Sequence, residues 1–190
     1  MIILASASPR RQELLKLIAD SFVVEPADID ETVNSSVELE KIPEQLATQK
    51  AEHIHNSNHY NDIVIGCDTG VFSDNTMLGK PNDENDAYQM LSTLSGKQHK
   101  VITGCSIFFK DKKVSFSQTT YVEFYKLTDE EIKAYISTGE PMDKAGSYGI
   151  QGKGATLVKK IDGDFFNVVG LPVALLNKKL NEICAEENNS

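Results

Sequence analysis

Residues 63–70 read Ile63-Val64-Ile65-Gly66-Cys67-Asp68-Thr69-Gly70, three consecutive apolar residues running into an acid bracketed by glycines. The triplet reads as a short strand covered on both faces, and the glycines read as its end. This places Asp68 at or near the carboxyl end of a strand, where open α/β sheets collect binding and catalytic groups. A carboxylate there can hold a divalent cation or deprotonate a water. The alternative is an Asp that serves only as a turn residue.

Working outward, strand and helix signals interleave. Ile2 to Ala5 reads as a buried strand, followed by Ser8 as N-cap and Pro9 at the first helical position, with Leu14, Leu15, Leu17 and Ile18 as the buried face. Pro43 opens a second helix with Leu46, Ala47, Ala51 and Ile54 on one side, and residues 83–94 place Ala87, Met90, Leu91 and Leu94 at amphipathic spacing. Period-two tracks over Val101 to Phe109 and Val114 to Phe124, with a polar Lys110–Lys113 turn, predict two long antiparallel strands. Thr128 and Glu131 form a capping-box signature for a helix stopped by Gly139 and Pro141. Thr156 to Ile161 and Phe165 to Val169 read as a hairpin about Asp162-Gly163, and Pro172 opens a last helix. The hairpins exclude a purely parallel sheet, so the expected class is mixed α/β.

The chain has 190 residues, 40% of them hydrophobic, and 19 Lys+Arg against 28 Asp+Glu leave a formal net charge of −9. That length predicts one domain over residues 1–190, with room for two closely joined lobes around a cleft. A domain of this size buries enough surface to fold without disulfide or structural metal. Cys67, Cys105 and Cys184 are scattered and form no C-x-x-C pair, which fits a reducing cytoplasm. No apolar run approaches the ~18 residues of a membrane span. The acidic total speaks against a nucleic-acid polymer or membrane as partner, but a small anion needs only a local positive cluster.

Three further segments are candidates for such a cluster. In Ser6-Ala7-Ser8-Pro9-Arg10-Arg11, hydroxyls, helix N-terminal N–H groups and two guanidiniums converge. Positive charge in a first turn opposes the helix dipole, which favours an anion site over a plain capped surface helix. Leu78-Gly79-Lys80-Pro81 offers Lys80 as a phosphate contact. Residues 143–154 carry Lys144, Gln151 and Lys153 among closely spaced glycines, a run that can leave N–H groups free for phosphate or base, or serve as a flexible loop. His53, His55 and His59 read as a solvated, fraying helix end rather than a metal site, and Cys67 as a buried, inert thiol.

Together and in order, LASASPRRQELL, DIDE at 28–31, DTGV, LGKP, LSGKQHKVITG, EPMDKAGSYGIQGKG and FFNVVGLP resemble the Maf family of nucleoside triphosphate pyrophosphatases, also called septum formation inhibitor Maf. The resemblance implies an inosine-triphosphatase-like architecture, a strongly curved mixed sheet flanked by helices. It implies metal-dependent hydrolysis, with Mg, Mn or Co, of a nucleoside triphosphate to the monophosphate and pyrophosphate. Asp68 is then the proton acceptor and a metal ligand, Glu31 a further metal ligand or a base-orienting group, and Ser8, Arg10, Arg11, Lys50, Lys80 and Lys144 the substrate contacts. Arg10, Thr69 and Gln151 match the members acting on dTTP and UTP, which makes a pyrimidine nucleotide the expected substrate over a methylated or damaged purine. The resemblance also favours a cytoplasmic homodimer, and the family's name motivates an alternative: a regulatory nucleotide-binding protein that inhibits septation through a partner.

Overall fold

The computed structural model describes residues 1–33 and 36–187. In chain order the elements are β1 (Ile2–Leu4), α1 (Pro9–Leu15), β2 (Val23–Val24), α2 (Ile42–Asn56), β3 (Ile63–Ser73), β4 (Thr76–Leu78), α3 (Glu84–Leu94), β5 (Gln98–Phe109), β6 (Lys112–Phe124), α4 (Asp129–Ile136), β7 (Val158–Asp162), α5 (Phe165–Val169) and α6 (Val173–Glu187). The seven strands form one sheet in the order β2-β1-β3-β5-β6-β7, with β4 paired to β3. β1 runs parallel to β2 and β3, whereas β3–β4 and β6–β7 are antiparallel, so the sheet is mixed and the class is α/β as expected.

The chain divides into two compact units, and β3, β5 and β6 supply residues to both. The first contains Met1–Asp68, Thr103–Gln118 and the C-terminal segment from Gly170. Its apolar cluster joins Ile3, Ala5 and Val64 of the strand region to Ala51 and Ile54 of α2 and Phe108 of β5. Polar contacts continue along the same face of α2, with Thr48 Oγ1 3.2 Å from Ser115 Oγ and the Ser117 hydroxyl donating to Glu44 at 3.1 Å. The second unit contains Thr69–Ile102 and Thr119–Val169. Ala87, Leu91 and Leu94 of α3 and Ile132, Tyr135 and Ile136 of α4 pack with Val101, Val122 and Phe124 of the strands. The predicted capping box forms: Glu131 N donates to Thr128 Oγ1 at 3.2 Å while Thr128 N donates to Glu131 at 2.8 Å.

Several local expectations change. β3 does not stop at Gly66 but continues to Ser73, 11 residues in all, so Asp68 lies in mid-strand rather than at a carboxyl end. Gly66 is present because α2 crosses it, and Gly70 because the Phe72 ring and Met77 fill the space of a side chain. Phe165–Val169 is a helix, not the second arm of a hairpin; β7 pairs instead with β6. The reason is a polar knot. Thr120 Oγ1 accepts from Asp164 N and donates to Asp164 O, Phe166 N donates to Asp164 Oδ1 at 2.8 Å, and the buried Asn167 amide donates to Val101 O at 3.0 Å and to Thr120 Oγ1 at 2.9 Å. The Phe166–Asp164 bond caps the first turn of a helix, and the bonds to Thr120 and Val101 pin that turn to β6 and β5. Leu17, assigned to the buried face of α1, is 63% exposed because the helix ends at Leu15. The period-two track of β5 is absent as well, since every residue from Val101 to Phe109 is buried, as befits a strand covered on both faces.

Candidate functional site

The first unit gathers acids and bases around α2, β3 and the loop before α1. Lys50, on the third turn of α2, directs its ammonium to Asp68 Oδ1 at 2.6 Å and to Glu31 Oε1 at 2.8 Å. Lys50 and Asp68 are 14% and 15% exposed, Glu31 49%, so the pair is partly shielded while the second acid faces solvent. Shielding strengthens the pairing by lowering the local dielectric, and the ammonium fixes the carboxylate's orientation. Lys50 was expected to cradle substrate, but its visible partners are these two acids. The two carboxylates are hard oxygen donors that share one cationic partner, a donor set that suits a small divalent ion arriving with phosphate oxygens. Among the described residues no group of three or more His, Cys, Asp or Glu side chains gathers as a self-sufficient metal cage.

In the same unit Ser8 is the N-cap of α1, as expected, with Arg11 N donating to its Oγ at 3.5 Å. The Arg11 guanidinium donates from Nε to Gly170 O at 2.9 Å and from Nη1 to Ser6 Oγ at 3.1 Å. Arg11 therefore ties the loop after β1 to the turn before α6. Arg10 lies half-buried on the first turn of α1. Cys67, next to Asp68, is fully buried with its Sγ 3.6 Å from Cys105 Sγ; that contact lowers the Cys67 thiol, while burial pushes the Cys105 thiol up. His55 is buried rather than solvated, its ring against Phe108 and Tyr60, and His59 sits between Glu25 and Asp62.

The second unit holds Thr69, Lys80, Lys144 and Gln151. Thr69 is half-buried on β3, Lys80 is exposed beyond β4, and Gln151 is exposed just before a 3-10 turn over Gly152–Leu157. Part of the glycine-rich run is tied down by the chain's own acceptors. Gly146 N donates to Gly79 O at 3.0 Å and Gly149 N to Tyr135 Oη at 3.1 Å, while the Glu140 carboxylate accepts from Lys153 N at 3.1 Å and Gly154 N at 3.3 Å. Lys144 donates to Glu140 O and, at 2.6 Å, to Asp143 Oδ1, and its stem passes beneath Gly149, where a Cβ would come within 2.8 Å of Cε. Sequence reasoning missed Glu140 and Tyr135 here; the signal available was Glu140 directly after the helix-stopping Gly139.

Below that loop, His99 is 2% exposed, with Nε2 2.7 Å from Tyr148 Oη and the rings of Phe124 and Tyr148 edge-on to it. Burial lowers its pKa to about 4 and raises that of Tyr148. Because the folded pKa is below the unfolded value near 6.5, the unfolded chain takes up the proton first as pH falls. Stability from this group is full above pH 6.5 and is lost progressively down to about pH 4, a loss on the order of 3 kcal/mol. Thermal melts across pH 4 to 7.5 are expected to show a steeper acid loss for the native chain than for His99→Gln; parallel curves would contradict this assignment.

Comparison with known proteins agrees with this architecture. The structure of a HAM1 protein from Coxiella burnetii shares the fold, with a TM-score of 0.59 at 16% identity over 95% of this chain and 98% of that one. A dTTP/UTP pyrophosphatase of Bacillus mycoides (strain KBAB4) is 48% identical over 181 residues, covering 95% of this chain and 94% of that protein. A dTTP/UTP pyrophosphatase of Bacillus cereus (strain AH187) is 49% identical over 183 residues, with the same coverage. The Maf-like protein family matches residues 1–183, and the chain belongs to that family.

Proposed function

We propose that this chain is a nucleoside triphosphate pyrophosphatase that hydrolyses dTTP and UTP to the monophosphate and pyrophosphate. The observation that carries the reading is the shielded Asp68 carboxylate, oriented at 2.6 Å by an ammonium that also holds Glu31. A carboxylate fixed in that way can accept the proton of a water attacking the α-phosphorus, and the O–P bond to the β-phosphate then breaks to release pyrophosphate. Asp68 and Glu31 would hold a divalent cation, Mg, Mn or Co, which neutralises charge on the phosphate oxygens. Arg10, Arg11, Lys80 and Lys144, with Ser8, supply positive charge and donors for the rest of the triphosphate. Gln151 offers both a donor and an acceptor to a pyrimidine edge, and Thr69 a hydroxyl. Support for the pyrimidine preference comes from near-half identity to proteins named for dTTP and UTP. The whole chain acts as one functional domain, in the cytoplasm and as a homodimer, without a nucleic-acid polymer or membrane partner. Among the described residues no helix is long and apolar enough to cross a membrane.

The test is pyrophosphate release from purified protein with Mg²⁺ or Mn²⁺ and a panel of dTTP, UTP, dCTP, dGTP and 7-methyl-GTP. Turnover of dTTP and UTP at least tenfold above the others is expected. Release confined to the methylated purine nucleotide would overturn the substrate assignment. Gln151→Glu combined with Thr69→Gln is expected to move the preference away from pyrimidines.

A further inference from the structure

Residues 151–154 expose Gln151 at a turn whose neighbours are held from below. Two successive amides, Lys153 N and Gly154 N, point at one anion, the arrangement that elsewhere binds phosphate. Here the anion is the chain's own Glu140 carboxylate. Gly152 between Gln151 and those amides takes a left-handed φ of 66°, and a Cβ there would meet Glu140 Oε1 at 2.9 Å. Only glycine lets the turn close this tightly over the acid. On the other side of Gln151, Gly149 N is held by Tyr135 Oη, and Gly154 comes so near that a Cβ on it would be 2.1 Å from Gly149 O. Glu140 is itself fixed: its N–H donates to Thr138 Oγ1 at 3.1 Å, and its carbonyl accepts from Lys144. Two amides that could have met a substrate phosphate are thus spent within the chain, and what the turn displays is the Gln151 side chain.

From this geometry we propose that Glu140 is a positioning residue for base selectivity: its carboxylate occupies the Lys153–Gly154 amide nest and so sets where Gln151 meets the nucleobase. The inference rests on the pyrimidine reading above. Glu140 touches no reacting atom in this scheme, so its removal acts on recognition more than on the chemical step. A charged acceptor of two amides also differs from a neutral one. Glu140→Gln keeps one carbonyl oxygen for the nest but turns a donor toward the second amide, while Glu140→Ala leaves both without an acceptor.

The experiment measures kcat and KM for dTTP, UTP and dGTP in the native chain, Glu140→Gln and Glu140→Ala, each at a temperature where it is fully folded by circular dichroism. For Glu140→Ala, KM for dTTP and UTP is expected to rise about tenfold, with kcat within about threefold of native and the discrimination against dGTP reduced; Glu140→Gln should fall between. An unchanged KM and unchanged discrimination in both variants overturns the inference while leaving the pyrophosphatase reading intact. A loss of kcat that tracks a lowered melting temperature, with discrimination kept, also overturns it, because that is what a purely structural clamp would give. Should Glu140→Ala fail to fold, Glu140→Gln alone decides by the same criteria. A native chain with no turnover of dTTP or UTP overturns the function itself, and is told apart by needing no variant at all.

Discussion

Asp68→Asn is expected to lower dTTP and UTP hydrolysis by about a thousandfold, the scale set by removing a positioned general base. The amide keeps the size of the carboxylate and its carbonyl oxygen can still accept from the Lys50 ammonium, so the fold is not the cause. What is lost is the ability to take a proton and the negative charge that offsets Lys50. Lys50 retains Glu31 at 2.8 Å as a counter-ion, which limits the effect on stability to a few degrees of melting temperature. Pyrophosphate release and a thermal melt, made on one preparation, separate the two quantities. Activity within tenfold of native would remove Asp68 from the chemical step. A collapse of the melting temperature would instead mark it as a structural ion-pair partner.

Gly104→Ala is expected to destabilise the protein by at least about 3 kcal/mol, the upper end for overpacking, and to lower its melting temperature by about 10 °C. A Cβ on Gly104 would sit 2.2 Å from Glu44 N and 2.4 Å from Glu44 Cα, backbone atoms of α2 that no rotamer change can move. Gly66 makes the same close approach from β3, its absent Cβ lying 2.1 Å from Ala47 O. The two glycines let α2 lie directly on the strands, and α2 carries Lys50. Lifting the helix would therefore also loosen the Lys50–Asp68 contact and reduce kcat in whatever fraction remains folded. Gly79→Ala is the control, since nothing lies within 4 Å of a Cβ there and its melt should match the native one. A Gly104→Ala protein that melts within 2 °C of native would show that α2 can shift without cost.

These two positions also mark how far the sequence could be read. The helix starts were visible because the signals are local: Ser8 before Pro9, and Thr128 three residues before Glu131, cap helices by bonds within one turn. Asp68 was visible as a candidate, but its place was misjudged, because Gly66 and Gly70 look like strand terminators when their true cause is a helix and an aromatic ring packed against them. Likewise Phe165–Val169 has strand composition, and only the buried Thr120–Asp164–Asn167 bonds, joining residues more than 40 apart, make it a helix.

The sequence alone determined the mixed α/β class, the capped helices, and the family through its ordered motifs, since each depends on composition, short-range periodicity or spacing. The tertiary structure decided which charges meet. It joined Lys50 to Asp68 and Glu31, and it turned Glu140 inward onto the amides beside Gln151. Hydrogen bonds and ion pairs act over about 3 Å, and residues 13 to 19 apart in the chain, as these are, come that close only when the chain has packed.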